Sequence, residues 1–295
     1  MGIDNIRELK PGDPEDWSTS VSSGDGSSST NFPTASTVGL PSGWEPVTTL
    51  TGTALFATEE GGVYEDYLVT DELIQIRADN ITLRRCKVVN GSIWNDIVGM
   101  VEGLVIEDCE VTADPAGEYP TGTSPSAAVG IGGFTMRNSK IVDTGEGFRL
   151  SGLTQGYGPT VIENCYIDCV GPAAPDDWHG DSMQAIDSPA LHVINSVFKL
   201  GLDGAGTSGT SPFFWSDDQS GFLTVDGMIV QGGGYPFWCY TDASIEDLYI
   251  VEGSYEYQPY TVPTPVPTFT SWDVHFCTLD GNGQPIIGAS IPQPT

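Results

Sequence analysis

The sequence predicts an all-β protein folded as a right-handed parallel β-helix, a solenoid of about seven or eight coils. Three observations lead to this prediction. A short apolar pattern recurs along much of the chain, and its apolar positions alternate two by two, which is the period of a strand. The chain also has 37 Gly and 21 Pro and sustains no 3.6-residue apolar period, so a solenoid of helices is disfavoured.

The repeated pattern reads apolar, any, polar, small, any, apolar, and its copies begin about 20 to 32 residues apart. Five copies are clear: Leu83–Val88, Ile106–Val111, Met136–Ile141, Ile162–Ile167 and Val193–Phe198. Three are looser: Val225–Val230, Ile245–Ile250 and Val274–Leu279. At about 4.8 Å per coil, the coils would stack into a rod of about 35–40 Å.

The polar position of each copy is expected to mark a bend between two short strands. It holds Asn138, Asn164 and Asn195, with Asp108 and Asp247 as equivalents. Asn and Asp tolerate left-handed backbone and hydrogen-bond locally, which suits a bend that recurs in every coil. Stacked coils should also bring the amides into a ladder.

The small position predicts the state of the cysteines. Cys86, Cys109 and Cys165 share it with Ser139 and Ser196, so we expect buried free thiols in a stacked column. Pairing of Cys86 with Cys109 on adjacent coils is sterically open as the alternative. The cysteines show no zinc-site spacing with histidine, and the sequence assigns no metal ligands.

The chain divides into three predicted segments. Residues 1–31 form a flexible N-terminal arm, because Ser18–Thr30 has the Ser, Gly, Asp and Thr composition of a linker. Residues 32–253 form the β-helix. Residues 254–295 form a Pro-rich tail that packs on the last coils, with Trp272–Leu279 as its final strand. The arm is a candidate anchor in a larger assembly.

The net charge of -30 limits the partners. Such a chain does not bind nucleic acid through phosphates, and it disfavours an anionic membrane. We expect no membrane insertion, since no apolar segment is long enough, and no secretory signal, since Met1–Ile6 lacks basic and apolar runs. The acidity suits binding of Ca²⁺, which is the one candidate cofactor. It equally suits general solubility on an exposed surface.

The sharpest local cluster is the acidic loop that ends at Asp181. The candidate catalytic residues are Asp177, His179, Asp181, Asp217 and Asp218. Carboxylates on neighbouring coils can lie at the separations of about 5–9.5 Å that glycosidases use. One acid would protonate the leaving oxygen while another activates water, with His179 tuning them. A lyase would instead need a base, with Ca²⁺ or Arg149 neutralising a uronate. The alternative is a structural or cation-binding loop.

A further strand in each coil predicts a glycan-binding face. If Phe148, Met183, Phe214 and Phe237 point inward, alternation directs the next residue of each strand outward. Rings exposed beside polar groups suit sugars, which stack on ring faces. The candidate glycan-binding residues are Arg149, Trp178, Gln184, Trp215, Trp238 and Tyr240. The alternative is that these rings pack under a loop or against a neighbouring subunit.

Several segments resemble known proteins. Asn80–Cys86 and Ile162–Cys165 resemble the coils of pectate-lyase-like right-handed parallel β-helix proteins. Phe32–Gly43 resembles the segment that opens this domain in proteins of actinobacteria and their phages. His179–Gln184 is similar to a His-x-Asp-Gly-x-Gln pattern found there, with Ser182 where that pattern has Gly.

The resemblance implies a bacteriophage minor tail protein, a virion component that contacts glycan of the host cell envelope. It also implies attachment to other tail proteins through the arm, and a homotrimer, since β-helix tail proteins often trimerise. The alternative is an extracellular polysaccharide lyase or glycoside hydrolase acting on an envelope or acidic polysaccharide. A structural spacer with an inert groove is a third function. Whether the chain is an enzyme stays open, because this fold hosts lyases, hydrolases, epimerases and non-enzymatic fibres.

Overall fold

The computed structural model describes residues 31–96, 99–113, 127–170, 180–201, 209–216 and 219–295. Across these ranges the chain forms 25 β-strands and no helix, so the predicted all-β class is confirmed. In chain order the strands are β1 (Thr48–Thr51), β2 (Leu55–Ala57), β3 (Val63–Glu65), β4 (Tyr67–Thr70), β5 (Ile74–Ile76), β6 (Thr82–Arg84), β7 (Lys87–Val89), β8 (Ile93–Trp94), β9 (Leu104–Glu107), β10 (Glu110–Thr112), β11 (Val129–Ile131), β12 (Phe134–Arg137), β13 (Lys140–Val142), β14 (Glu146–Leu150), β15 (Thr160–Glu163), β16 (Tyr166–Cys169), β17 (Asp181–Ala185), β18 (Leu191–Leu200), β19 (Phe213–Trp215), β20 (Leu223–Gly232), β21 (Phe237–Cys239), β22 (Ala243–Val251), β23 (Tyr260–Thr261), β24 (Phe269–Leu279) and β25 (Pro285–Ser290).

The strands wind into a parallel solenoid whose coils stack on one another. A nine-stranded sheet contains, in order, β2, β5, β8, β11, β14, β17, β19, β21 and β23. A 16-stranded sheet doubles back at β18, because this long strand pairs with both β15 and β16 across the bend that separates them. Within the described residues, the only antiparallel strand pair is β24 with β25. The predicted parallel β-helix architecture is confirmed.

The bends between strands follow the prediction made from the polar position. The backbone is left-handed at Asp108, Asn138, Asn164, Asn195 and Asp247, with φ between 41° and 54°. Asn164 Nδ2 donates to Asn138 Oδ1 at 2.8 Å, and Asn195 Nδ2 donates to Asn164 Oδ1 at 3.2 Å. The amide ladder is therefore present, and each amide holds its coil in register with the next.

The small position forms a second ladder, inside the solenoid. The N–H of Cys86 donates to Cys109 Sγ at 3.3 Å, and the N–H of Cys109 donates to Ser139 Oγ at 2.9 Å. The N–H of Cys165 donates in the same way to Ser196 Oγ at 3.0 Å. The three cysteines of this column are free and buried, as predicted, and the structure adds three more free buried cysteines: Cys169, Cys239 and Cys277. Burial raises the pKa of the Cys165 thiol to about 12, so it stays protonated and unreactive.

The core contains a continuous column of phenylalanine rings. Phe134 and Phe148 lie 6.1 Å apart between ring centroids, and Phe148 and Phe198 lie 6.4 Å apart. Phe213 lies 5.3 Å from Phe198 and 5.5 Å from Phe237. Ring pairs of this kind contribute about 0.5–1.5 kcal/mol each beyond their buried area. The column supports the nine-stranded sheet from within.

Residues 31–44 run along the outside of the solenoid as a strap. The N–H of Phe32 donates to Gln284 Oε1 at 2.7 Å, and Gln284 Nε2 donates to the Phe32 carbonyl at 3.0 Å. The Phe32 ring packs edge-on against Tyr249, with centroids 5.7 Å apart. Further along, the N–H of Gly39 donates to the Asn138 carbonyl at 2.8 Å. The strap therefore ties the last hairpin to the middle coils.

Ion pairs form short ladders on the outside of the early coils. Two glutamates each lie between two basic side chains, in the pairs Arg84–Glu107, Arg137–Glu107, Lys87–Glu110 and Lys140–Glu110. Burial opposes ionisation of both carboxyls, but the paired cations hold the pKa of Glu107 and of Glu110 below the usual value. These ladders use much of the small supply of positive charge.

The amide ladder and the left-handed bend can be separated by two substitutions of Asn164. Asn164→Gly removes the amide but tolerates the φ of 50°, whereas Asn164→Ala removes the amide and adds strain. We expect both variants to be less stable than wild type, with the alanine variant lower by a further 1 kcal/mol or so, about the cost of a left-handed alanine. Urea unfolding measures both values, and equal stability of the two variants would show that the bend is unstrained.

Candidate functional site

The outside of the nine-stranded sheet carries a row of half-buried side chains. In-register pairing places Arg149 beside Gln184, Gln184 beside Phe214, and Phe214 beside Trp238. The preceding residue of each strand is fully buried: Phe148, Met183, Phe213 and Phe237. The structure thus brings three predicted residues, Arg149, Gln184 and Trp238, onto one outer face. Their part in glycan binding stays a prediction.

Trp215 does not face outward, so that prediction is wrong. Its side chain is fully buried, and its Nε1 donates to Thr241 Oγ1 at 2.8 Å. Phe214 occupies the outer position instead, because Phe213 stacks on Phe237 of the next coil and sets the phase of the strand. Three consecutive aromatic residues hide that phase in the sequence.

Five aromatic side chains form one connected surface, which we call the aromatic patch: Phe214, Tyr235, Trp238, Tyr240 and Tyr257. Trp238 lies at its centre, with ring centroids 4.7 Å from Phe214, 5.2 Å from Tyr235 and 5.7 Å from Tyr240. Tyr257 lies 5.2 Å from Tyr235 and is 61% exposed. Tyr240 was predicted from alternation. Tyr235 and Tyr257 were missed because both lie outside the strands, where no alternation applies.

Polar groups border the rings of the aromatic patch. Trp238 Nε1 is buried and has no hydrogen-bond partner among the described residues. The amide of Gln184 lies one position away in the same row, across Phe214. The Tyr257 hydroxyl donates a hydrogen bond to the Glu256 carboxylate, which raises the pKa of the hydroxyl above its ordinary value of 10.0. A ligand of the patch would meet ring faces and uncharged hydrogen-bonding groups together.

A second feature of the nine-stranded sheet is a buried pair of carboxyls at the strand starts. Glu146 begins β14 and Asp181 begins β17, and the two residues pair in register. Arg149 Nη2 lies 2.5 and 2.6 Å from the two Glu146 oxygens. The N–H of Ser211 donates to Asp181 Oδ1 at 2.9 Å, whereas Asp181 Oδ2 has no partner in the described part of the chain.

The environment gives these carboxyls unequal protonation. Burial raises the pKa of Asp181 to about 8, and the Glu146 carboxylate adds to this, against the N–H of Ser211 and the charge of Arg149. Burial also raises the pKa of Glu146, although Arg149 opposes it. A protonated acid next to an arginine-paired carboxyl is an arrangement that acid–base catalysis uses. However, both side chains are buried, so no substrate reaches them in this conformation.

The acidic loop itself lies largely outside the described residues. Of the predicted residues, Asp177, Trp178, His179, Asp217 and Asp218 fall there, and their roles stay predictions. Asp181 is described, at the start of its strand as expected. Glu146 was missed, although it stands before Gly147–Leu150 as Asp181 stands before Ser182–Ala185. Aligning those two strands would have paired the carboxyls.

Searches for a metal site, a membrane span and a relative add no further assignment. No group of three His, Cys, Asp or Glu side chains within the described ranges is arranged to hold a metal ion. Nor does that part of the chain contain a helix with the length and apolar character to cross a membrane. Comparison with protein-family models, curated proteins and solved structures returned no match.

Replacing Asp181 with asparagine should make stability less dependent on pH. Between the ordinary pKa of 3.8 and the folded value of about 8, the unfolded chain releases this proton while the folded chain keeps it, so wild type loses stability as pH rises. Asparagine cannot ionise and keeps an oxygen for the N–H of Ser211. We expect the free energy of unfolding of Asp181→Asn to rise relative to that of wild type by about 1 kcal/mol per pH unit across that window.

Urea unfolding at pH 4, 6 and 8 measures this effect. Asp143→Asn, on an exposed bend, is the control for removal of one negative charge. A difference between Asp181→Asn and wild type that stays constant from pH 4 to 8 would contradict the raised pKa of Asp181.

Proposed function

We propose that this protein is a bacteriophage minor tail protein that binds glycan of the host cell envelope through the aromatic patch. The single observation that carries glycan binding is the cluster of five connected rings around Trp238 on the outer face. Sugar rings present apolar C–H faces that stack on aromatic rings, while their hydroxyls need hydrogen-bond partners. The Gln184 amide, in the same outer row, is a suitable group for those hydroxyls.

The support beneath the aromatic patch favours binding rather than simple packing. Phe214 and Trp238 are strand residues held in register by backbone hydrogen bonds. The buried residues Phe213 and Phe237 stack below them, and Trp215 is fixed by its bond to Thr241. Sites on rigid strands hold their geometry better than sites on loops. Rings that are already ordered lose little entropy when a ligand binds.

The virion part of the proposal is supported by the sequence. Phe32–Gly43 and His179–Gln184 resemble segments of β-helix proteins from actinobacteria and their phages. The net charge of -30 suits a particle surface that must stay soluble. In this proposal the arm of residues 1–31 attaches the protein to other tail proteins, and the solenoid assembles as a homotrimer.

A polysaccharide lyase or hydrolase is the second candidate, because the pair of Glu146 and Asp181 favours it. Asp181 would act as the proton donor, since its pKa of about 8 keeps it protonated at neutral pH. Arg149 is already paired with Glu146, so a lyase would have to break this ion pair to neutralise a uronate with Arg149. Burial of both carboxyls would have to be relieved before any reaction.

Binding by the aromatic patch can be tested with Trp238→Ala, using envelope polysaccharide from candidate actinobacterial hosts. We expect the dissociation constant to rise about 10-fold, because a central aromatic contact contributes about 1–2 kcal/mol. Trp238→Phe should retain most of the affinity, since a ring remains. Trp44→Ala is the control, as Trp44 is also half-buried but bonds to Asp66 in the first coils.

Isothermal titration calorimetry measures these affinities, with release of reducing ends and unsaturated products followed in parallel. Unchanged affinity in Trp238→Ala would overturn binding by the aromatic patch. Cleavage by wild type that is lost in Asp181→Asn would favour the enzyme instead.

A further inference from the structure

We infer that the glycan taken by the aromatic patch is uncharged, rather than a uronate-rich or otherwise anionic polysaccharide. This inference rests on the proposed glycan-binding function and adds the chemical class of the ligand. It follows from where the positive charges of the chain lie, and from which groups border the patch.

Nearly all of the described basic side chains are already paired with carboxylates. The described ranges contain eight of the ten Lys and Arg residues. Seven of the eight lie within 4.0 Å of a carboxylate: Arg84, Arg85, Lys87, Arg137, Lys140, Arg149 and Lys199. The eighth, Arg77, bonds to Gln75 and lies over the Phe56 ring, 4.0 Å from its centroid. Except at Arg77, an anionic polymer would have to displace a carboxylate to obtain a cation.

The charges around the outer row also disfavour an anionic ligand. Arg149 is its only basic member, and both oxygens of Glu146 already bond to the guanidinium. Towards the other end, Tyr257 bonds to the Glu256 carboxylate. An anionic sugar stacked on Trp238 would therefore gain little from the paired Arg149 and would meet the Glu256 carboxylate on the side of Tyr257.

The hydrogen-bonding groups around the aromatic patch also match a neutral ligand. The Trp238 ring offers an apolar face for stacking, while its Nε1 is buried. The Gln184 amide both donates and accepts, and the Tyr257 oxygen, whose O–H is donated to Glu256, can accept. Such groups match hydroxyls, whereas a buried carboxylate would need charged donors to offset its desolvation.

The test compares one backbone in two charge states. An envelope polysaccharide from the host is carboxyl-reduced to give a neutral form, and part of that form is then oxidised at its primary hydroxyls to uronate. Binding of both forms to wild type is measured at about 20 mM and about 500 mM salt, which span strong and weak screening. Glu256→Lys is measured alongside.

We expect the neutral form to bind at least about 10-fold more tightly at low salt, with a difference that narrows at high salt. The Glu256→Lys substitution should also reduce this difference in affinity, because it replaces the bordering carboxylate with a cation. Equal or tighter binding of the oxidised form at low salt would overturn the inference while leaving glycan binding intact. Failure of both forms to bind would overturn the proposed function, and the inference with it.

Discussion

The structure depends on one constraint, the in-register stacking of each coil on the next. Because the coils hydrogen-bond as parallel strands, equivalent residues lie directly over one another. Left-handed bends therefore recur at Asn138, Asn164 and Asn195, and their amides bond to each other. The same constraint builds the outer row from Arg149 to Trp238. Function in such a fold belongs to rows of residues that are distant in sequence.

The sequence carried enough information to predict the fold but only part of the site. The bends and the buried columns repeat with the sequence pattern, so several copies together predict the structure of each coil. Glu146 and Phe214 lie on strands that are separated from the pattern by segments of varying length, and their register follows from contacts rather than from spacing. Trp215 shows the consequence, since its inward position is decided by the Phe213–Phe237 stack in the next coil.

The acidity of the chain has opposite consequences outside and inside. On the surface, the few basic side chains form ion pairs with neighbouring carboxylates. Glu107, for example, pairs with both Arg84 and Arg137. Inside, Asp181 avoids adding another charge by keeping its proton. Both effects leave Arg77 as the one described Lys or Arg that has no carboxylate within 4.0 Å. A neutral, ring-stacking ligand is the one that this balance of charges favours.

Hydroxyl-radical footprinting with envelope polysaccharide would test glycan binding at the aromatic patch most directly, because it locates contacts without any substitution. We expect oxidation of Trp238 and Tyr257 to fall when the polysaccharide is added, while oxidation of Trp44, in the first coils, stays the same. Polysaccharide binding that leaves Trp238 and Tyr257 as reactive as before would contradict the account and place the binding surface elsewhere.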